Sequence, residues 1–258
     1  MESLTQTTVL ITGASSGIGL SCATKFAEAG ARLILIARRK DRLNQLSTRL
    51  KKDFQTDCFI IQLDVRKRDD VARKLTKLDK EWQSIDVLVN NAGLSRGLDK
   101  FHEGSLEDWE EMIDTNVKGL LYVTRLVVPW MIARGKGTII NIGSIAGHEV
   151  YPRGNVYCAS KHAVDALTKG LRQDLVDTPL RVCTVDPGLV ETEFSKVRFH
   201  GDDKRAKQTY QDMIPLRPDD VADAVLFCAT RPPHVQLAEL MILPTAQAST
   251  TLVHRTKQ

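Results

Sequence analysis

The chain has 258 residues, of which 42% are hydrophobic and 26% are charged, and its formal net charge is +4 at pH 7. This length suits one α/β domain with a sizeable core, and the small, dispersed positive charge argues against a nucleic-acid partner. Five cysteines without C-x-x-C spacing and six histidines without metal-ligand grouping predict reduced packing thiols and no metal site.

The sequence shows no pattern of export or membrane insertion. Its first six residues lack a basic region followed by an apolar segment. The apolar stretch 120–132 is interrupted by Arg125 and Pro129, which disfavours a membrane-spanning helix. We therefore expect a cytoplasmic protein without a membrane partner.

Strand-like apolar runs alternate with helical patterns along the chain. The runs lie at Val9 and at residues 33–37, 58–63, 87–89, 138–142, 181–185 and 240–243. Two helical stripes between them are typical of helices that pack on a sheet: Leu43, Leu46 and Leu50 form one, and Val71, Leu75, Leu78 and Trp82 the other. This alternation predicts an α/β fold with a doubly wound parallel sheet of seven strands, in which ligands bind beyond the carboxyl ends of the strands.

A glycine-rich turn follows the first strand-like run. Gly13, Gly17 and Gly19 have the spacing G-x-x-x-G-x-G and lead into an apolar helical pattern. Glycines let a pyrophosphate approach the main chain, and the new helix offers free N–H groups and the positive end of its dipole. The turn therefore predicts dinucleotide binding. Its spacing departs from the general G-x-G-x-x-G fingerprint, and a purely structural turn is the alternative.

The second strand-like run ends on Arg38 and Arg39, where an NAD enzyme usually carries an acidic residue that binds the ribose 2′-hydroxyl. Two arginines can clamp a 2′-phosphate, whereas a carboxylate would repel it. The basic pair therefore favours NADP over NAD. A solvated charge run leading into the next helix is the alternative.

Tyr157 and Lys161 are four residues apart, so a helix would place a phenol and an ammonium on one face. A positive charge roughly 4 Å away favours phenolate by about 4 kcal/mol at an effective dielectric constant of about 20, which lowers a pKa near 10 by around three units. The pair therefore predicts acid-base catalysis near neutral pH. A surface i,i+4 pair is the alternative.

Further motifs occur between and after these two. Asn90-Asn91-Ala92-Gly93 follows a strand-like run, Asn116 lies in a long helical stretch, Ser144 follows residues 138–142, and Pro187-Gly188 precedes Thr192. Together with the glycine turn and the tyrosine–lysine pair, the chain resembles the short-chain dehydrogenase/reductase family from Thr8 to about Thr245. The resemblance implies a single Rossmann-type domain over residues 1–258.

The resemblance also implies roles for individual residues. Tyr157 would exchange a proton with the substrate, Lys161 would lower the pKa of that tyrosine and bind the nicotinamide ribose, Ser144 would bind the substrate oxygen, and Asn116 would hold a water. The cofactor-binding residues that it implies, together with the basic pair above, are Gly13, Ser15, Ser16, Gly17, Ile18, Gly19, Arg38, Arg39, Asp64, Val65, Asn90, Ala92, Gly93, Tyr157, Lys161, Pro187, Gly188, Val190 and Thr192.

Residues 190–215 interrupt the βα rhythm, and the family resemblance implies a substrate lid there. Segments in and around the lid resemble the NADP-dependent 3-hydroxy acid dehydrogenases, which oxidise serine and allo-threonine. Arg198 is then a candidate for binding the substrate carboxylate, with Arg153 as a second candidate. The resemblance implies a homotetramer, and a monomer whose extra apolar residues pack beneath the lid is the alternative. The alternatives are an NADP-dependent reductase of apolar ketones, steroids or 3-oxoacyl thioesters, and a non-catalytic NADP-sensing regulator.

Overall fold

The computed structural model describes residues 4–256, so the two ends of the predicted domain, 1–3 and 257–258, lie outside the described residues. Seven parallel strands form one sheet in the order β3-β2-β1-β4-β5-β6-β7. The strands are β1 (Thr8–Thr12), β2 (Arg32–Ala37), β3 (Cys58–Gln62), β4 (Val87–Asn90), β5 (Gly137–Ile142), β6 (Leu180–Pro187) and β7 (Glu239–Ile242). The predicted doubly wound α/β fold is confirmed.

Helices follow the strands along the chain. They are α1 (Gly17–Glu28), α2 (Lys40–Phe54), α3 (Arg68–Leu75), α4 (Leu106–Ile113), α5 (Leu120–Arg134), α6 (Asn155–Asp174), α7 (Glu193–Arg198), α8 (Asp203–Gln208) and α9 (Pro218–Ala229). A π-helical turn (Asp114–Gly119) joins α4 to α5, and 3-10 turns lie at Phe101–Glu103 and Ile145–Gly147. Within residues 4–256, every helix is too short or too polar to cross a bilayer.

The sheet is buried on both faces, which is why its strands read as continuous apolar runs. In β1, Val9 and Ile11 join a core cluster that includes α1, α2 and α9, whereas Leu10 points to the opposite cluster with α3 and α5. All three side chains are fully buried. The alternation follows from the two-residue period of a strand, and it places helices on both faces of the sheet.

The two predicted stripes pack on opposite faces of the sheet, but the second one is only partly helical. Helix α3 ends at Leu75, and Leu78 and Trp82 lie in the turns that follow, so the prediction of a helix through Trp82 is wrong. The indole of Trp82 instead packs against Phe59 on β3, with 5.4 Å between ring centroids. Trp82 therefore covers the edge strand β3, although its spacing from Leu75 would suit a longer helix.

The strand order reverses direction between β1 and β4, which opens a crevice at the carboxyl ends of the strands. Helix α1 lies very close to the loop that precedes it at this point. A Cβ atom on Gly19 would lie 2.4 Å from Asn91 Nδ2 and 2.5 Å from the Gly13 carbonyl oxygen. The third glycine of the motif therefore permits close packing of helix, loop and the end of β4.

We expect Gly19→Ala to lower the free energy of unfolding by about 1–3 kcal/mol, because the added methyl group overpacks this contact. Gly170→Ala in α6 is the matched control, since nothing lies within 4 Å of its Cβ position. Its higher helix propensity should raise the unfolding free energy by about 0.5–1 kcal/mol. Urea unfolding measures both variants, and equal stabilities would contradict the packing argument.

Candidate active site

A cleft of about 660 Å³ lies at the carboxyl ends of the strands. Most of the predicted site residues line it: Gly13, Ser15, Ser16, Gly17, Ile18, Arg38, Arg39, Asp64, Val65, Ala92, Gly93, Ser144, Tyr157, Lys161, Pro187, Gly188, Val190, Thr192 and Arg198. Gly19, Asn90, Asn116 and Arg153 are not among its lining residues. Residues separated by up to 185 positions in the sequence, from Gly13 to Arg198, therefore share one cavity.

The glycine loop is held in place by the end of β4. Thr12 Oγ1 accepts hydrogen bonds from the main-chain N–H groups of Asn91 (3.0 Å) and Ala92 (2.9 Å). Asn91 Nδ2 donates in return to the Thr12 carbonyl oxygen at 2.9 Å. Gly13 has a φ of +69°, a left-handed conformation that favours glycine. Sequence reasoning did not assign side-chain roles to Thr12 and Asn91, although both stand within the motifs that it used.

The start of α1 can receive an anion. Its N-cap residue, Ser16, makes no side-chain capping hydrogen bond, so the first N–H groups of the helix remain available. These groups and the helix dipole favour a phosphate at this position. Gly17, with a φ of +52°, lies against Thr192, which brings the loop after β6 to the same place. The residues present therefore fit a pyrophosphate.

The two arginines after β2 have different partners. Arg39 donates through Nη2 to Ser16 Oγ at 2.7 Å and to Ser15 Oγ at 3.1 Å. Arg38 forms a longer ion pair with Glu111 at 3.6 Å. Arg39 and the two serines together make a group of donors at the mouth of the glycine loop, which is the arrangement that a 2′-phosphate requires.

Glu193, at the start of α7, is bound by the same basic group and was missed from the sequence. Its carboxylate lies 3.0 Å from Arg39 Nη1 and 2.7 Å from Arg42 Nη1. These pairs are between 40% and 45% exposed, so their net contribution to stability is small. Their consequence is geometric, because they tie the segment after Thr192 to the helix that carries Arg42.

Tyr157 and Lys161 lie on one face of α6 and both are buried. The Lys161 ammonium donates to the Ile142 carbonyl oxygen at 2.8 Å. Ser144, at the end of β5, also lines the cleft beside Tyr157. Helix α6 and the loop after β5 thus bring a phenol, an ammonium and a hydroxyl to one wall of the cavity.

The pKa values of this pair differ from the sequence prediction. Burial raises the pKa of Tyr157 above its ordinary value, and Tyr151 adds to this, while Arg198 and Ser144 oppose it. Burial also lowers the pKa of Lys161 to about 8, against the opposing charge of Asp186. The predicted lowering of the tyrosine pKa is therefore wrong for the protein alone, because loss of hydration outweighs the positive charge of Arg198.

Asn116 is buried in the π-helical turn and not in a regular helix. Its Nδ2 donates to the Leu94 carbonyl oxygen (2.8 Å) and to Ser160 Oγ (3.0 Å), and its Oδ1 accepts from the Leu94 N–H at 2.8 Å. The amide therefore fastens the end of β4 to α6 beside Lys161. The predicted water contact of Asn116 stays a prediction.

Two other predicted residues do not line the cleft. Asn90 is buried and donates to Thr124 Oγ1 and Asn141 Oδ1, each at 2.9 Å, so its amide braces the sheet against α5 and does not line the cofactor side. Arg153 has a φ of +66° and borders a small hollow that Asp99 also lines and that shares Tyr157 with the cleft. The Asn90 side chain therefore contributes to the sheet, and the cofactor role of Asn90 and the substrate role of Arg153 stay predictions.

Arg198, at the end of α7, lies against the catalytic side of the cleft. Its guanidinium carbon is 5.2 Å from the centroid of the Tyr157 ring and 5.5 Å from that of Phe194. Nε donates to Ser95 Oγ at 2.9 Å, and Nη2 donates to the Tyr151 hydroxyl. Within residues 4–256, Nη1 has no hydrogen-bond partner, which leaves donors free beside Tyr157.

The segment that carries Arg198 is fixed at several points. Gly97 N–H donates to the Arg198 carbonyl oxygen at 2.9 Å, and Arg96 donates to the Val197 carbonyl oxygen at 2.7 Å. Tyr210, after α8, donates to the Val190 carbonyl oxygen at 2.8 Å. Residues 190–215 therefore form two short helices that cover the cleft and are tied to it on both sides. Ser95 and Tyr151, which orient Arg198, left no signal in the sequence pattern.

Comparison with known proteins gives the class to which this fold and site belong. Residues 7–203 match the family model of the short chain dehydrogenases. The chain belongs to that family and is a short-chain oxidoreductase, so the predicted family is confirmed.

Individual relatives agree with this class. The chain is 47% identical over 249 residues to the NADP-dependent 3-hydroxy acid dehydrogenase of Escherichia coli strain K12, covering 96% of this chain and 99% of the relative. It is 43% identical over 256 residues to a protein of the same name from Schizosaccharomyces pombe, covering 99% of each. Among solved structures, a closed form of serine dehydrogenase complexed with NADP+ is similar, with a TM-score of 0.90 and 47% identity, covering 96% of this chain and 100% of that chain.

Proposed function

We propose that this protein transfers hydride between NADP and a short 3-hydroxy acid such as serine or allo-threonine. The observation that carries the proposal is the position of Arg198, whose unpartnered donors lie beside the Tyr157 ring. A 3-hydroxy acid has its carboxylate two carbons from the reacting hydroxyl, so one short molecule can reach both groups. The names of the two curated relatives support the same substrate class.

The chain's residues fit NADP. Arg39 with Ser15 and Ser16 would hold the 2′-phosphate, with Arg38 beside them, and the uncapped start of α1 would hold the pyrophosphate. When bound, NADP supplies the hydride acceptor or donor. Lys161 would bind the hydroxyls of the nicotinamide ribose, as the family resemblance implies.

Tyr157 is the proton-transfer residue in this proposal. In reduction the phenol donates its proton to the carbonyl oxygen of the substrate, and Ser144 hydrogen-bonds the same oxygen. The burial that raises the pKa of Tyr157 keeps the phenol protonated, as this direction requires. In oxidation Tyr157 accepts the hydroxyl proton, and the positive charges of Lys161 and of an oxidised nicotinamide favour the phenolate.

In this proposal the protein is a single domain, and residues 190–215 are its substrate lid. The guanidinium at the end of α7 presents charge-assisted donors to a carboxylate and disfavours an apolar ketone in the same place. From the family resemblance we also propose that the protein is cytoplasmic and forms a homotetramer.

Tyr157→Phe should bind NADP as tightly as wild type and lose turnover by a factor of at least about 10², because proton transfer is lost while the ring remains. Initial rates with short 3-hydroxy acids, measured with NADP and with NAD, test this together with the proposed function. Calorimetric titration with NADP is the control for intact binding. Near-wild-type turnover of the variant would exclude Tyr157, and absence of turnover with every 3-hydroxy acid in wild type would contradict the proposed substrate class.

Arg39→Ala should raise the Kd for NADP at least about tenfold, the effect of losing charge-assisted hydrogen bonds, and should change the Kd for NAD by less than about twofold. Arg49→Ala is the matched control, since Arg49 lies on the helix that follows Arg39 but donates to Thr24 at 3.0 Å, away from the cleft. Fluorescence titration measures each constant. An equal rise of the Kd for NADP and for NAD would show that Arg39 does not bind the 2′-phosphate.

Arg198→Ala should raise the KM for a 3-hydroxy acid at least about tenfold by removing the carboxylate partner. The corresponding carboxamide is the control substrate, because its kinetics should not depend on a guanidinium that pairs with a charge. Arg205→Ala is the control variant, since Arg205 stacks on Phe199 elsewhere in the lid, 4.4 Å from the ring centroid. An unchanged KM for the acid would refute the contact.

A further inference from the structure

A charged cluster lies directly beneath the Ser144 loop, outside the steps described above. It consists of Asp186 in β6, His148 after the 3-10 turn Ile145–Gly147, and Glu239 at the start of β7. His148 Nε2 is 3.2 Å from Asp186 Oδ2, and His148 Nδ1 is 3.3 Å from Glu239 Oε1. Asp186 is only 1% exposed, which is unusual for a carboxylate and requires specific partners.

The Asp186 carboxylate is joined directly to the main chain of Ser144. Oδ1 accepts from the Ser144 N–H at 3.1 Å, and Oδ2 accepts from Thr184 Oγ1 at 2.8 Å. A Cβ atom on Gly143 would lie 1.8 Å from Asp186 Oδ1, so the loop can lie on the carboxylate only because residue 143 is glycine. The carboxylate therefore determines where the main chain of Ser144 lies.

The same short loop also holds Lys161. The ammonium donates to the carbonyl oxygen of Ile142, which is two residues before Ser144. Lys161 and Asp186 thus bind the two ends of the segment 142–144, one from α6 and one from β6. The negative charge of Asp186 raises the pKa of Lys161 against the larger lowering by burial.

We propose that Asp186 is a positioning residue for the reaction proposed above: its carboxylate fixes the Ser144 loop, and its negative charge helps to retain a proton on the Tyr157–Lys161 pair. The inference rests on the roles proposed for Ser144, Tyr157 and Lys161. In this proposal Asp186 is an electrostatic partner of the pair, on the side of the Ser144 loop that faces away from the substrate.

The charged and titratable groups around Asp186 come from three elements. His148 approaches from the 3-10 turn, Glu239 from β7 and Lys161 from α6. Lys169 on α6 is 3.8 Å from Glu239 and pairs with the outer end of the cluster. Burial raises the pKa of Asp186, while the hydrogen bond from Thr184 Oγ1 and a positive charge on His148 oppose that shift.

Asp186→Asn tests the charge separately from the hydrogen bond. The amide oxygen can still accept from the Ser144 N–H, and the amide group can still pair with the Thr184 hydroxyl. A nearby negative charge disfavours proton loss from either member of the pair, so its removal lowers the apparent pKa of the pair whichever residue titrates. We expect the pH limb of kcat/KM to move down by about one pH unit in both reaction directions. A limb that stays in place would overturn the proposal.

Two further variants define the effect. Glu239→Gln removes a partly exposed carboxylate beyond His148 and should leave the limb unchanged; an equal shift would assign the effect to the whole cluster and contradict the role of Asp186. Asp186→Ala also removes the acceptor, so it should lower both Tm and kcat at every pH. Asp186→Asn should restore Tm and the kcat at its optimum pH without restoring the position of the limb. If Asp186→Asn did not restore Tm and kcat, the proposal that Asp186 holds the loop by its hydrogen bond and sets the pH dependence by its charge would be refuted.

A readout that does not depend on substrate keeps this test separate from the proposed function. The near-ultraviolet phenolate absorbance of the NADP complex, taken as wild type minus Tyr157→Phe, reports the tyrosine titration directly. Asp186→Asn should shift this titration to lower pH even if no 3-hydroxy acid is turned over. Absence of turnover together with this shift would reject only the substrate, whereas turnover without the shift would reject only the role of Asp186.

Discussion

Burial of two ionisable side chains at one point of the cleft is the constraint on which the site depends. Loss of hydration moves the pKa of Tyr157 up and that of Lys161 down, so each is pushed toward its neutral form. Proton transfer requires that nearby charges be able to shift these two pKa values. The negative charge of Asp186 acts on Lys161, the guanidinium of Arg198 lies over the Tyr157 ring, and a bound cofactor would add further charge.

The scaffold makes this possible because parallel strands end at a common edge. Loops after β1, β5 and β6 meet there, and the loop after β1 is fixed by Thr12 and Asn91 rather than by its glycines alone. Asn116 joins the loop after β4 to α6 through hydrogen bonds to Leu94 and Ser160. The buried hydrogen bonds therefore set the geometry on which the chemistry relies.

Helix α7 connects the two binding regions. Glu193 at its start pairs with Arg39 beside the glycine loop, and Arg198 at its end contacts the rings of Tyr157 and Phe194. One short helix therefore touches both the proposed phosphate site and the proposed carboxylate site. Movement of this helix would therefore change both proposed sites together.

The sequence alone indicated the seven strands and the dinucleotide turn, because these depend on local hydrophobic period and on glycines at a strand end, and the family resemblance supplied most of the predicted residues that line the cleft. Only the tertiary structure placed Asn90 inside the sheet, joined Glu193 to Arg39, and put Asp186 under the Ser144 loop. It also reversed the expected direction of the Tyr157 pKa. These properties depend on burial and on distances between segments far apart in the chain, which local pattern does not contain.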